Sequence, residues 1–93
     1  MKKYEVMYIL KANLDDATRN ELVGKLNALL SANGGSIEAV NEWGVKDLAY
    51  EIEKEKKGYY VVVDVVANVD AINEFDRVAK INSNVLRSLV IAK

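Results

Sequence analysis

The 93-residue chain contains no cysteine, no histidine and no proline. Without cysteine there is no disulfide framework and no thiol chemistry. Without cysteine and histidine together, zinc, haem and most transition-metal sites lose their usual ligands, and the commonest general base is missing as well. No cofactor is expected. Long hydrophobic runs are lacking too. The longest, Tyr59 to Val63 and Val65 to Ala67, are separated by Asp64, far short of the roughly 20 apolar residues of a membrane-spanning helix. Met1-Lys2-Lys3 leads straight into Tyr4-Glu5-Val6, without the apolar stretch of a secretory signal, so a cytoplasmic protein is expected. Surplus positive charge is also absent: 13 basic residues against 14 acidic ones leave a formal net charge of -1. Proteins that grip nucleic acid through many phosphates ordinarily carry excess Lys and Arg. Any RNA contact here has to come from a local cluster, over a modest area or one shared with a second protein.

What is present is a balanced globular composition. The apolar fraction is 51% and the charged fraction 29%, enough for one core in a single domain spanning residues 1–93. Tyr4 to Leu10 alternates and is rich in β-formers, which predicts a strand. Asn13, Asp15 or Asp16 can cap the helix that follows, whose apolar face is Leu22, Leu26, Leu29 and Leu30. Gly34-Gly35 is the expected helix stop. A second strand starts at Ser36, with Ile37, Ala39, Asn41 and Trp43 on one side. Gly44 inside this pattern predicts a bulge rather than an end, and the strand resumes through Leu48-Ala49-Tyr50-Glu51-Ile52. Residues Glu53 to Gly58 read as a charged turn. Tyr59 to Ala67, nearly continuous in valine, reads as an interior strand. Asp70 is the expected N-cap of a second helix with Ile72, Phe75, Val78 and Ala79 on its apolar face. After the turn Asn82-Ser83-Asn84, Val85 to Ala92 forms the last strand.

The order β-α-β-β-α-β predicts an α+β, ferredoxin-like fold. Right-handed crossovers put both helices on one face of a four-stranded antiparallel sheet of order 4-1-3-2. The other face then has no helix to cover it. With Val6, Tyr8 and Leu10 turned to the helices, alternation leaves Met7 and Ile9 on the uncovered face. In the last strand it groups Val85, Arg87, Leu89 and Ile91 there. Such a patch suits a protein partner.

Catalytic and ligand motifs are weak. Asp15-Asp16 suits a helix start, where the dipole favours acids. Asp64 interrupts an apolar strand, as an edge carboxylate or a lysine partner, without the second polar group a catalytic site needs. Gly34-Gly35 follows a helix, whereas phosphate-binding glycines precede one. No enzyme activity and no small-molecule substrate are expected. One RNA-binding pattern has to be weighed. Lys57-Gly58-Tyr59-Tyr60-Val61-Val62-Val63-Asp64 begins like the third-strand octamer of an RNA-recognition-motif domain. Its fifth position carries Val61 rather than a stacking aromatic, and it ends in Asp64, which repels phosphate. A stand-alone single-stranded RNA module is the alternative reading. Basic residues gather at Lys54, Lys56 and Lys57, interleaved with Glu53 and Glu55. This is a solvated hairpin tip by itself, and a source of phosphate contacts if held beside RNA. Arg87 alternates onto the uncovered face, where its guanidinium can fork onto phosphate or carboxylate.

The most specific stretch is Trp43-Gly44-Val45-Lys46-Asp47-Leu48-Ala49-Tyr50-Glu51-Ile52. It reads G-x-K-D-L-A-Y-x-I and resembles the signature of the family of the sixth protein of the bacterial small ribosomal subunit. The resemblance runs through the chain: Lys2-Lys3-Tyr4-Glu5 in the opening strand, Gly34-Gly35 between helix and strand, Gly58-Tyr59-Tyr60 at the hairpin exit, and Asn84-Val85-Leu86-Arg87 at the start of the last strand. It departs at Glu53, where the family usually has a basic or small residue. The resemblance implies a structural constituent of the small subunit. It implies a protein that binds the central domain of 16S ribosomal RNA together with the eighteenth small-subunit protein. On that reading Lys2, Lys3, Lys46, Lys54, Lys56 and Arg87 are the expected RNA-facing residues, anchoring backbone rather than reading bases. Met7, Ile9, Trp43, Leu48, Tyr50, Leu89 and Ile91 are the expected protein-partner surface.

Overall fold

In the computed structural model, which describes residues 1–52 and 54–93, the elements follow the expected order. They are β1 (Lys2–Lys11), α1 (Asp16–Leu30), β2 (Ser36–Ile52), β3 (Glu55–Ala67), α2 (Val69–Ile81) and β4 (Val85–Ala92). The strands form one sheet of order β2-β3-β1-β4, antiparallel at every junction. This is the order 4-1-3-2 expected from the sequence, with the valine-rich β3 and β1 in the interior.

Alternation decides which side chains fill the core. Val6, Tyr8 and Leu10 of β1 stand opposite Val63, Val61 and Tyr59 of β3, and these rows face the helices. Leu22, Leu26 and Leu30 of α1 and Ala71, Phe75 and Ala79 of α2 complete the same cluster. Tyr8 is buried, with its ring centroid 5.9 Å from that of Phe75. Its hydroxyl donates to Asn27 Oδ1 at 2.9 Å, so the one polar atom of this side chain is satisfied. Burial, then the nearby Glu42 and Tyr59, push the Tyr8 phenol well above its ordinary pKa.

The helix ends agree with expectation at one point and differ at two. Asp15 is the cap of α1, accepting the Thr18 amide at 2.8 Å. The stop comes before Gly34-Gly35: Ser31 is the C-cap, its amide returning to the Asn27 carbonyl. For α2 the cap is Asn68 rather than Asp70. Asn68 has extended backbone and accepts the Ala71 amide at 2.8 Å, and Asp70 lies in the first turn. Either side chain suits a cap; the backbone is still extended at Asn68 and helical from Val69, which gives Asn68 the cap position.

Three irregularities in β2 and one in β4 shape the face without helices. The first sets Glu38 as an extra residue between Ile37 and Ala39. Ile37 therefore faces the helices with Val65, while Ala39 and Asn41 lie on the other face, so the expected single row of Ile37, Ala39, Asn41 and Trp43 is broken. The second is the bulge expected at Gly44. Trp43 is its extra residue and Gly44 has φ +83°, a conformation glycine adopts without steric penalty. The third is larger: Leu48 to Glu51 of β2 lie opposite the single Lys56 of β3 before Ile52 pairs with Glu55. Surplus length on one strand of a pair bends that strand, and the far part of the hairpin arcs over the sheet. In β4, Leu86 is extra opposite Ile9 and Leu10. Val85 consequently joins the core, and not the Arg87 row in which alternation had grouped it. The expected charged turn is also shorter, because β3 begins at Glu55 and Lys54 at the tip has φ +67°. Glu53, where the signature departs from its family, lies outside the described residues.

Candidate protein and nucleic-acid interface

The face opposite the helices carries the candidate surface. It is not left bare. Tyr50, in the outer arm of the edge strand β2, reaches across β3 and β1 to β4. There the Arg87 guanidinium donates to the Tyr50 hydroxyl and lies 5.8 Å from its ring centroid. Leu48 comes down over Gly58, where an added Cβ would collide with Ile9 and sit 3.3 Å from Leu48 Cδ2. The absence of a side chain at Gly58 is what lets the arm close. Ile9 is consequently only 4% exposed, although no helix covers it.

Between arm and sheet lies an apolar groove of about 210 Å³, with walls that include Met7, Leu48, Tyr50, Tyr60 and Leu89 and with Arg87 at its edge. Of the seven residues expected on the partner surface, five line it: Met7, Ile9, Leu48, Tyr50 and Leu89. Ile9 is its buried floor rather than exposed surface. Trp43 and Ile91 are exposed but outside it. Ala49, Ile52 and Tyr60 line it as well, and the sequence alone had not singled them out for this role. Their signal was present for Ala49 and Ile52, which belong to the signature string.

Trp43 stands on the other side of Tyr60. The two rings are 6.2 Å apart between centroids and within 10° of parallel. The Lys46 ammonium lies 5.8 Å from the indole centroid, within cation–π range.

The expected RNA-facing cations fall into two groups. Lys46, Lys54 and Lys56 are exposed on the β2–β3 arm, and Arg87 is exposed beside it. Lys2 and Lys3 sit at the opposite end of β1, opposite Ala67 and Val66. Eight residues of β3 separate the Lys3 row from the Lys46 row, about 26 Å at the rise of an extended strand. The adjacent lysines also diverge, since neighbouring strand residues point to opposite faces. Lys3 lies 4.0 Å from Glu38. Nearby, Lys93 Nζ lies 2.9 Å from Asp64 and 3.9 Å from Glu5. The hydrogen bond to Asp64 raises the Lys93 pKa against the cost of desolvation. Asp64, the acid that interrupts an apolar strand, is thus an ion-pair partner on the sheet face. Lys11 was not singled out from the sequence, yet it pairs with Gly58, as Lys46 does from the other side. The two lysines flank one glycine on the same face.

The RNA-recognition-motif resemblance meets a register problem. Tyr59 and Val61, third and fifth in the octamer, face the helices: Tyr59 stands opposite Leu10, and Val61 opposite Tyr8. The Tyr59 ring lies under Arg19, with the guanidinium 4.5 Å from its centroid, and its hydroxyl donates to Glu42 at 2.9 Å. An aromatic at the fifth position would enter the core rather than meet a base. Among the described residues no acidic, histidine or cysteine cluster suits a metal ion, and no helix is long and apolar enough to cross a membrane.

Comparison with known proteins agrees with the signature. The family model of ribosomal protein S6 matches residues 3–92. The small ribosomal subunit protein bS6 of Halalkalibacterium halodurans is 49% identical over 90 residues, covering 97% of this chain and 95% of its own. That of Shouchella clausii is 50% identical with the same coverage. The crystal structure of 30S ribosomal protein S6 from Thermotoga maritima superposes with a TM-score of 0.91. It covers 99% of this chain and 87% of its own at 24% identity, and so bears on the fold. Residues 3–92 carry the family from the first strand to the last, and this chain belongs to the ribosomal protein S6 family, a non-enzymatic constituent of the small ribosomal subunit.

Proposed function

We propose that the chain binds the central domain of 16S ribosomal RNA as one half of a pair with the eighteenth small-subunit protein, within cytoplasmic ribosomes. The observation that carries this reading is the juxtaposition at the arm. An apolar groove opens beside Arg87, and Lys46, Lys54 and Lys56 are exposed on the strands that form it. The groove, with Met7, Leu48, Tyr50 and Leu89 in its walls, takes an apolar segment of the partner protein. Ile91 extends that surface along β4. Lys46, Lys54, Lys56 and Arg87 take phosphates, with Lys2 and Lys3 as a smaller, separate contact. The net charge of -1 fits a shared site, because few released counterions give weak binding by one partner alone.

The test is a titration of a central-domain RNA fragment with and without the eighteenth protein. Weak binding alone and strong, salt-sensitive binding with the partner is the expected result. Lys46→Ala and Arg87→Ala each lower the salt slope by about one if each contacts a phosphate. Tight binding to short single strands without the partner would overturn the reading in favour of an independent RNA module.

A further inference from the structure

The geometry points to a stacking platform at Trp43 for one unpaired RNA base. This inference rests on the ribosomal RNA reading above and specifies how that contact is made. Three features meet here. Trp43 is the chain's single tryptophan, thrown outward as the extra residue of the β2 bulge and 53% exposed. Tyr60, fixed in the interior strand β3, lies nearly parallel to it, so the indole has a flat and rigid support. Gly44 pairs with Tyr60, and a Cβ there would meet nothing within 4 Å apart from its chain neighbours. That leaves open space beside Tyr60.

The cation decides between kinds of occupant. Lys46 Nζ lies over the indole, held by the negative ring face while no ligand is present. A nucleotide uses the rings and the cation together: its base extends the parallel ring stack, and its phosphate takes the ammonium. An apolar protein side chain would use the rings and leave Lys46 to be desolvated without a counter-charge. Such a side chain is better served by the groove on the other side of Tyr60. Every base has a π-face, so this contact tolerates sequence changes. It also differs in phase from the RNA-recognition octamer, whose third and fifth residues are turned into the core.

The test uses the native chain, the eighteenth protein and a central-domain RNA fragment. Emission from Trp43, taken as the difference from a Trp43→Phe sample, is quenched when RNA joins the protein pair and changes little when the partner protein alone is added. Trp43→Leu weakens RNA assembly by about tenfold or more with the salt slope unchanged, and Trp43→Phe recovers most of the loss. Far-UV circular dichroism checks the folding of both variants, while emission of the native chain tests the contact without any substitution. An emission change complete on adding the partner protein, with none on adding RNA, assigns Trp43 to the protein interface and overturns the inference. So does native-strength assembly by Trp43→Leu, which leaves the ribosomal reading standing. Failure of the native chain to assemble on RNA with the partner removes both.

Discussion

Ile9 and Ile91 provide a direct test of the closed arm. Both side chains lie on the face opposite the helices, in the adjacent strands β1 and β4. Ile9 is 4% exposed and Ile91 47%. The difference follows from position: Ile9 lies under Leu48 and next to Gly58, and Ile91 is beyond the arm's reach. Ile9→Ala removes a fully buried side chain and leaves a cavity, so a loss of about 2–5 kcal/mol is expected. Ile91→Ala removes a half-exposed one; about half of a full burial of 1.5–3 kcal/mol gives roughly 1 kcal/mol, with little cavity term. A gap of about 2 kcal/mol between the variants corresponds to roughly 8–16 °C in Tm for a domain of this size. Thermal and urea unfolding followed by circular dichroism measures both. Leu48→Ala should reduce the penalty at Ile9 and leave that at Ile91 unchanged, since only residues in contact couple. Equal losses at Ile9 and Ile91, or additivity of Leu48→Ala with Ile9→Ala, would refute the closed arm.

Two further outcomes bear on the fold. Asn68→Ala removes the α2 cap and is expected to lose about 1 kcal/mol, whereas Asp70→Ala, which keeps Asn68, should stay close to native, because the lost first-turn charge is offset by the higher helix propensity of alanine; the reverse ranking in urea denaturation would return the cap to Asp70. Tyr8 has a raised pKa in the folded state because burial disfavours the phenolate, so its contribution is complete below the unfolded value of about 10 and is lost as pH rises toward the folded value. Tyr8→Phe should be less stable near neutrality by about 0.5–1.5 kcal/mol, through loss of the bond to Asn27, yet show a shallower alkaline decline; an unchanged decline between native and variant would contradict the assignment.

Much of this was legible because it is local. The period-two rows of β1 and β3, the leucines of α1 and the valine-rich interior strand encode both order and core. The expected bulge at Gly44 needed only a glycine inside a strand pattern. The faces beyond a bulge were harder to read. One extra residue reverses every later side chain, and whether Glu38 or Leu86 is extra depends on the partner strand rather than on its neighbours in sequence. Val85 changed faces, and Ile37 parted from Ala39 and Asn41, for that reason. The site followed the same division. The signature string marked the arm and one wall of the groove, Leu48, Ala49, Tyr50 and Ile52, but not that Leu48 and Tyr50 close over the chain's own sheet.

The sequence by itself determined the element order, the helix faces, the lack of any thiol, and the family, since each is carried by residue type or short-range spacing. Only the tertiary structure decided that Asp64 pairs with Lys93, that Lys2 and Lys3 stand roughly 26 Å along the sheet from Lys46, and that Trp43 stacks on Tyr60. These contacts join residues far apart in the chain, or lengths of strand whose alignment is fixed only by pairing. The bends, registers and crossings that create them are set by the assembled sheet and have no signature in any one segment.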